Sequence, residues 1–349
     1  MTHESSVLVA RLAELQVTKT NSYYASGLWP CQRYNSLFRF STEDNNLFIS
    51  ASIVYILQSV YKTLDLVDQK KVDQMVKLFI PRISEYRNKD NKASYNFWRT
   101  RPSQHFPYGM ICRHLDFFRL PDDADDSSLV FLIDPDKKSE FSEFKALLAA
   151  HANIAKKRIR KVDSRFRNLP AYTTFFAERM PNEFDLCVQS NILSVFYQHQ
   201  QELDEHSEAT WLLIKTCIQE DLIRENAFQL SPNYGTAALI YYHICRLLYY
   251  STTSDFDELI PLLKSQVIGL EARNLFDRLL KGICMKMLGL RHRYVDFDPE
   301  SKSAFFIAGM FSAFDNPLAQ MIAPWQFTHV QFRSVALNTA LLLQYHCLD

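Results

Sequence analysis

The chain is 349 residues long and 47% hydrophobic, and its 39 basic and 39 acidic side chains leave no net charge at neutral pH. This balance excludes the basic footprint of a nucleic-acid binder, and the longest apolar stretches, such as Ala336–Leu343, fall far short of a membrane span. Met-Thr-His-Glu-Ser-Ser shows no secretory signal, and seven scattered cysteines without a Cys-x-x-Cys pair point to reduced thiols in a cytoplasmic protein.

Seven glycines are few where roughly 25 are usual, which disfavours phosphate-cradling loops and tight-turned β folds. No nucleotide-binding glycine motif is present. The apolar periodicity is helical almost throughout. A first helix runs from about Ser5 to Gln16, followed by an irregular stretch, Asn21–Glu43, that carries Trp29. Six segments then share one design: a polar or acidic start with N-cap chemistry, followed by an apolar helix rich in Ser, Ala, Thr or Asn. They begin at Asp44, Pro121, Phe184, Ser231, Glu300 and Phe332. Small residues at close spacing let such helices crowd around a common axis.

Between them lie wider-faced amphipathic helices, Leu66–Tyr86, Glu140–Ala155, Glu208–Arg224 and Phe256–Leu290, suited to an outer layer. Six inner starts with outer helices interposed predict an all-α (α/α)6 toroid, one domain over residues 1–349, with the N-terminal helix closing the ring. Irregular connections at Asn88–Pro121, Val162–Pro181 and Pro317–Gln331 concentrate Trp98, Arg99, Arg101, His105, Phe106, Tyr108 and Trp325. Too aromatic for disorder, they are expected to line one mouth of the toroid. Phe, Tyr and Trp make up 13% of the chain, enough to pack a core or to line a cavity whose π-faces stabilise a cation.

One stretch points at chemistry. Leu120-Pro-Asp-Asp-Ala-Asp-Asp-Ser-Ser-Leu129 places four aspartates within five positions. Carboxylates this close repel, so at least one is pushed towards holding its proton unless a cation, a metal or helix amides compensate. Pro-Asp-Asp-x-Asp-Asp is also a good helix start, though one or two acids would suffice as caps.

Asp123-Ala-Asp-Asp126, followed by Ser127-Ser128, resembles the Asp-x-Asp-Asp-Thr-Ala signature of class II terpene cyclases, the squalene–hopene and copalyl-diphosphate-type enzymes, which are built from α/α toroids. The resemblance implies a small-molecule isoprenoid substrate. Asp125 would be the general acid for an alkene or epoxide, with Asp123 and Asp126 orienting it. Asp122, Trp98, Arg99, His105, Phe106, Tyr108, Trp29 and Trp325 are candidate substrate contacts. Protonation needs no cofactor; Mg2+ would enter with a diphosphate-bearing substrate. The chain departs from the family in having room for one toroid, in lacking glutamine–tryptophan repeats, and in Ser-Ser for Thr-Ala.

Other readings stand beside this one. Asp122, Asp123 and Asp126 fit the magnesium motif Asp-Asp-x-x-Asp of class I synthases, but no second metal motif accompanies it. The zinc site of protein prenyltransferases is not recognisable at Cys112/His114 or Cys245/His243. A glycoside hydrolase or lyase would need a second acid, such as Asp44 or Glu183. A non-catalytic toroid would use the cluster as a cap. The runs Arg291-His-Arg293 and Lys156–Lys161 read as solvated helix ends or diphosphate holders, and His243 and His346 as satisfied core residues.

Overall fold

The computed structural model describes residues 3–155, 158–159, 162–178, 180, 182–251, 253–292, 296–309 and 317–348. Four residues of the basic run at 156–161, together with Arg293, Met310 and Phe311, lie outside the described residues. The chain opens with α1 (His3–Leu15), then β1 (Cys31–Asn35) and β2 (Phe40–Asp44), α2 (Leu47–Val60) and α3 (Leu66–Phe79). A long irregular segment leads to α4 (Ala124–Ile133) and α5 (Phe141–Ala150). Next come α6 (Leu186–Gln198), α7 (Glu205–Gln219), α8 (Leu222–Leu230), α9 (Ala237–Tyr250), α10 (Ile260–Ile268) and α11 (Leu275–Met287). The chain closes with β3 (Phe306–Gly309), α12 (Pro317–Ile322), β4 (His329–Arg333) and α13 (Val335–Cys347). Among the described residues no helix is long and apolar enough to cross a membrane.

Helix contacts form a circuit. α2 packs on α4, α4 on α6, α6 on α9, α9 on α11, α11 on α13, and α13 back on α2. Outside it, α1 covers α13 and α3, α7 lies on α6 and α10, α8 on α9, and α10 on α11. α2, α4, α6 and α13 are buried almost all round, as an apolar helix enclosed on every side must be.

Each circuit helix begins with a side-chain cap: Asn46, Asp123, Asp185, Thr236, Asn274 and Ser334 accept from amides in the first turn. The first-turn N–H groups lack intrahelical partners, and burial makes leaving them unpaired costly.

Five of the six inner starts read from the sequence become circuit helices; the one at Glu300 does not. Residues Phe306–Gly309 form a strand, and the vacant place is taken by α11, the second half of the stretch read as one outer helix, Phe256–Leu290. α11 keeps a polar side, which disguised it. On its buried side are Phe276, Leu279, Leu280, Ile283 and Cys284, while Gly282 lets Tyr345 and His292 come so near that a Cβ there would lie 2.8 Å from each.

The expectation of an all-α chain is likewise corrected. A four-stranded antiparallel sheet in the order β2-β1-β4-β3 joins the segment before α2 to the one before α13. Its strands have only four or five residues, too short to show against helical periodicity. In β3, Phe306 and Ile307 suit a pleated, half-buried surface.

A buried ion pair locks β1 to β2, and its further partners tie the sheet to the core. Arg33 of β1 donates to Asp44 at 2.5 Å; their side chains are 2% and 0% exposed. Asp44 also accepts from Trp98 Nε1 at 3.1 Å and from Asn46, while Arg33 reaches the Pro107 carbonyl and lies over the Trp98 and Phe106 rings. Removing one partner strands the other charge in a dry site. Arg33→Met is therefore expected to cost about 3–5 kcal/mol, measured as a lowered urea midpoint, and adding Asp44→Asn should restore part of the loss.

Candidate functional site

The four aspartates divide their work. Asp123 is the N-cap of α4, accepting from the Asp126 amide at 2.8 Å. Asp122, just outside the helix, is held by Asn88, Ser94 (2.7 Å) and Asn96 (3.2 Å). One acid caps and one ties down the preceding loop. Asp125 and Asp126 are left, both buried, with no cap to form.

Asp125 sits 5% exposed and draws its partners from a second helix and from a turn. Asn191 Nδ2 on α6 donates to Oδ1 at 2.6 Å, and the Tyr234 hydroxyl, just before α9, donates to Oδ2 at 2.6 Å. Behind Asn191, the guanidinium of Arg246 donates to the carboxamide oxygen. Arg246 is itself buried, lying 4.7 Å from the centroid of Tyr55 and 5.4 Å from that of Tyr242. Burial lifts the Asp125 carboxyl above its ordinary range, while Tyr234, Asn191 and the Arg246 charge hold part of that lift back. The result is a carboxylic acid whose conjugate base already has its two donors in place.

Asp126 is 1% exposed, and burial together with the neighbouring Asp123 and Asp125 charges pushes its carboxyl well above the usual range. Asp123 is pushed up to about 8, chiefly by burial and then by Asp125. Both carboxyls of this adjacent pair are thus biased towards the protonated form. Oδ1 of Asp126 meets no donor among the described residues.

The Tyr234 position is itself constructed. Asp185, the fully buried cap of α6, accepts from the Ser231 hydroxyl and from the Asn233 amide at 3.1 Å, fixing the turn that carries the tyrosine. Gly235 follows with φ +74, a conformation that favours glycine, and a Cβ there would lie 2.8 Å from Ile307. Burial and the Asp125 charge raise Asp185 to about 6.

Aromatic rings crowd this centre. Tyr234 is flanked by Phe48 (centroids 6.1 Å apart), Phe305 (5.9 Å), Phe306 (5.6 Å) and His243 (4.6 Å). Phe306 continues the cluster to Phe97 and Phe332.

The remaining sequence candidates scatter. Trp98 joins Asp44, with the Phe106 ring tilted against it at 4.7 Å. Arg99 pairs with Glu85, and His105 donates Nε2–H to the Leu115 carbonyl. Arg99 and His105 line an open cleft of about 310 Å3 that includes Asp122 but not Asp125. Tyr108 donates to the Tyr23 carbonyl. Trp29 donates to Leu12 of α1, and Trp325 is half exposed beside Phe327. Asn191, Tyr234, Arg246 and Asp185 went unrecognised. A lone arginine within the apolar run 237–250, and Gln-Ser-Asn within 186–193, were the available signals.

The second acid of a hydrolase has no free candidate in Asp44, locked in its ion pair, or in Glu183, which accepts from Asn233 at 3.0 Å. Among the described residues no group of three or more His, Cys, Asp or Glu side chains is placed to hold a metal ion.

The raised carboxyls give a signed pH dependence. Between the ordinary aspartate value of 3.8 and about 8, the folded chain holds protons that the unfolded chain has released. The contribution of Asp123 is complete at acid pH and is lost as pH rises through about 8, and that of Asp126 falls in the same direction. Asp126→Asn should flatten this fall; urea unfolding between pH 4 and 9, compared with the parent, measures it.

No protein-family model matches the chain, and no curated protein matches it. Among solved structures it is similar to a variant of the type II terpene cyclase MstE from Scytonema, in its apo form. The TM-score is 0.53 over 99% of this chain and 96% of that one, with 10% of residues identical. At that identity the likeness shows a shared fold: a helix-rich chain folded like a terpene cyclase.

Proposed function

We propose that the chain is a class II-type terpene cyclase, a single domain over residues 1–349 in which the helix circuit is an (α/α)6 toroid and Asp125 starts the reaction. The observation that carries this reading is the buried Asp125 carboxyl, clamped by Asn191 and Tyr234 beside a cluster of aromatic rings. The fold shared with a type II terpene cyclase supports it, as does the place of the Asp-x-Asp-Asp stretch on an inner helix.

In this reading the substrate is an isoprenoid or isoprenoid-bearing molecule whose terminal alkene or epoxide meets Asp125. Protonating an alkene demands a strong acid in a dry pocket. Burial biases Asp125 towards the protonated form that this step needs. Once the proton leaves, the carboxylate is stabilised by two short hydrogen bonds already formed and by the Arg246 charge behind Asn191, so little reorganisation is needed. Asp123 and Asp126 act as a second carboxyl pair that holds the first turn of α4 and so orients Asp125. The rings of Phe48, Tyr234, Phe305 and Phe306 offer π-faces to the carbocation. Protonation requires no cofactor, and Mg2+ would accompany only a diphosphate-bearing substrate.

Asp125→Asn keeps both hydrogen-bonding positions filled but removes the acid. It is expected to reduce consumption of a cyclised isoprenoid at least about a hundredfold, with the helical circular dichroism preserved. Turnover of the variant at the parent rate would dismiss the mechanism.

A further inference from the structure

His243 on α9 is buried to 1% exposure and only half satisfied. Its Nδ1–H donates to the Leu239 carbonyl at 2.8 Å, so the other nitrogen, Nε2, carries the lone pair. Nε2 is solvent-inaccessible and meets no donor among the described residues. A buried acceptor left unpaired costs about 1–3 kcal/mol, so a packing role alone does not explain it. Around the imidazole stand the rings of Tyr234, Phe305 and Tyr242, with centroids 4.6, 5.5 and 5.4 Å away. Tyr234 is also the residue whose hydroxyl touches Asp125, so one phenol separates the histidine from the acid.

We propose that His243 is the base that ends the reaction, taking through Nε2 the proton lost by the final carbocation. The inference rests on the cyclase reading above. Asp125 gives its proton to one alkene carbon. At the last cationic centre a neighbouring C–H bond breaks, its electron pair becomes the new π bond, and the proton goes to Nε2. When product leaves, the imidazolium gives its proton to solvent and the Asp125 carboxylate takes one up, so the turnover is an isomerisation that consumes no co-reactant.

Electrostatics lets acid and base coexist. Burial, and then the Arg246 charge, hold His243 well below its ordinary range, whereas burial lifts Asp125 above its own. A more basic imidazole would strip Asp125 before substrate arrived. A weak base suffices, because a C–H bond beside a carbocation is very acidic. The nearby Arg246 charge also opposes lasting imidazolium, which favours its release of the proton.

The test uses the full chain and its His243→Phe and His243→Gln variants. The probes are farnesol, geranylgeraniol, their diphosphates and their terminal epoxides. Both variants are expected to keep consuming the probe that the parent cyclises, while the parent alkene falls about tenfold as a share of product. Alkene isomers or water-captured alcohols should replace it. An unchanged product from both variants overturns the base while leaving the cyclase reading in place.

Binding gives a readout separate from turnover. N,N-dimethylgeranylgeranylamine, protonated at nitrogen, stands in for the cation. His243→Phe is expected to weaken its calorimetric affinity about tenfold, with geranylgeraniol affinity unchanged. Equal loss for both ligands, or no loss, assigns His243 to packing and overturns the proposal. A parent protein that neither consumes nor binds any of these compounds overturns the cyclase reading and the base together.

Discussion

Capping buried helices is the constraint from which much of this structure follows. Several circuit helices start in one dry neighbourhood: Tyr95 meets Asp123, Asp185 holds the turn before α9, and Ser334 donates to the Pro30 carbonyl beside the β1–β2 hairpin. Each start exposes amides that water cannot reach, so polar side chains must be built into the core. Once polar groups are obligatory there, a few more can be carried for another purpose. Asp125, Asp126, Asn191 and Arg246 are such a surplus. They share the low-dielectric setting of the caps without sharing their task.

The same setting separates the fates of similar residues. Asp44, Asp125 and Asp185 are all buried carboxylates near helix starts. Asp44 has a guanidinium at 2.5 Å and serves as an anchor. Asp185 accepts from backbone and hydroxyl donors and shapes a turn. Asp125 has two neutral donors and a cation one residue removed, an intermediate condition that suits a group required to change its protonation state.

Much of the architecture was legible because local rules decide it. A cap followed by a small-residue apolar run marked α2, α4, α6, α9 and α13, and the acidic start of α4 stood out by counting charges. The misreadings have a common origin. α11 is amphipathic, so its composition resembles an outer helix, and only its packing between α9 and α13 reveals its place. Phe305–Gly309 is apolar and short, a length at which helical and extended periods cannot be told apart. The partners of Asp125 were illegible for a different reason. Asn191 and Tyr234 lie 66 and 109 residues away along the chain, and no spacing rule connects them to an aspartate on another helix. His243 looked like ordinary core because its environment is core; what distinguishes it is one nitrogen with nothing to bind, a property of the assembled interior.

Asp125 belongs to α4 while its two donors belong to α6 and to the turn before α9. Its acidity is therefore a collective property of three segments that meet only when the circuit is closed. Each bond is short and directional, so a loosening of the ring by a fraction of an ångström weakens both together, long before any helix unravels. The carboxyl works as a strain gauge for the assembly. Under the proposed mechanism, warming would silence the reaction at temperatures where the backbone still looks intact, and a ligand that draws the helices inward would sharpen the acid.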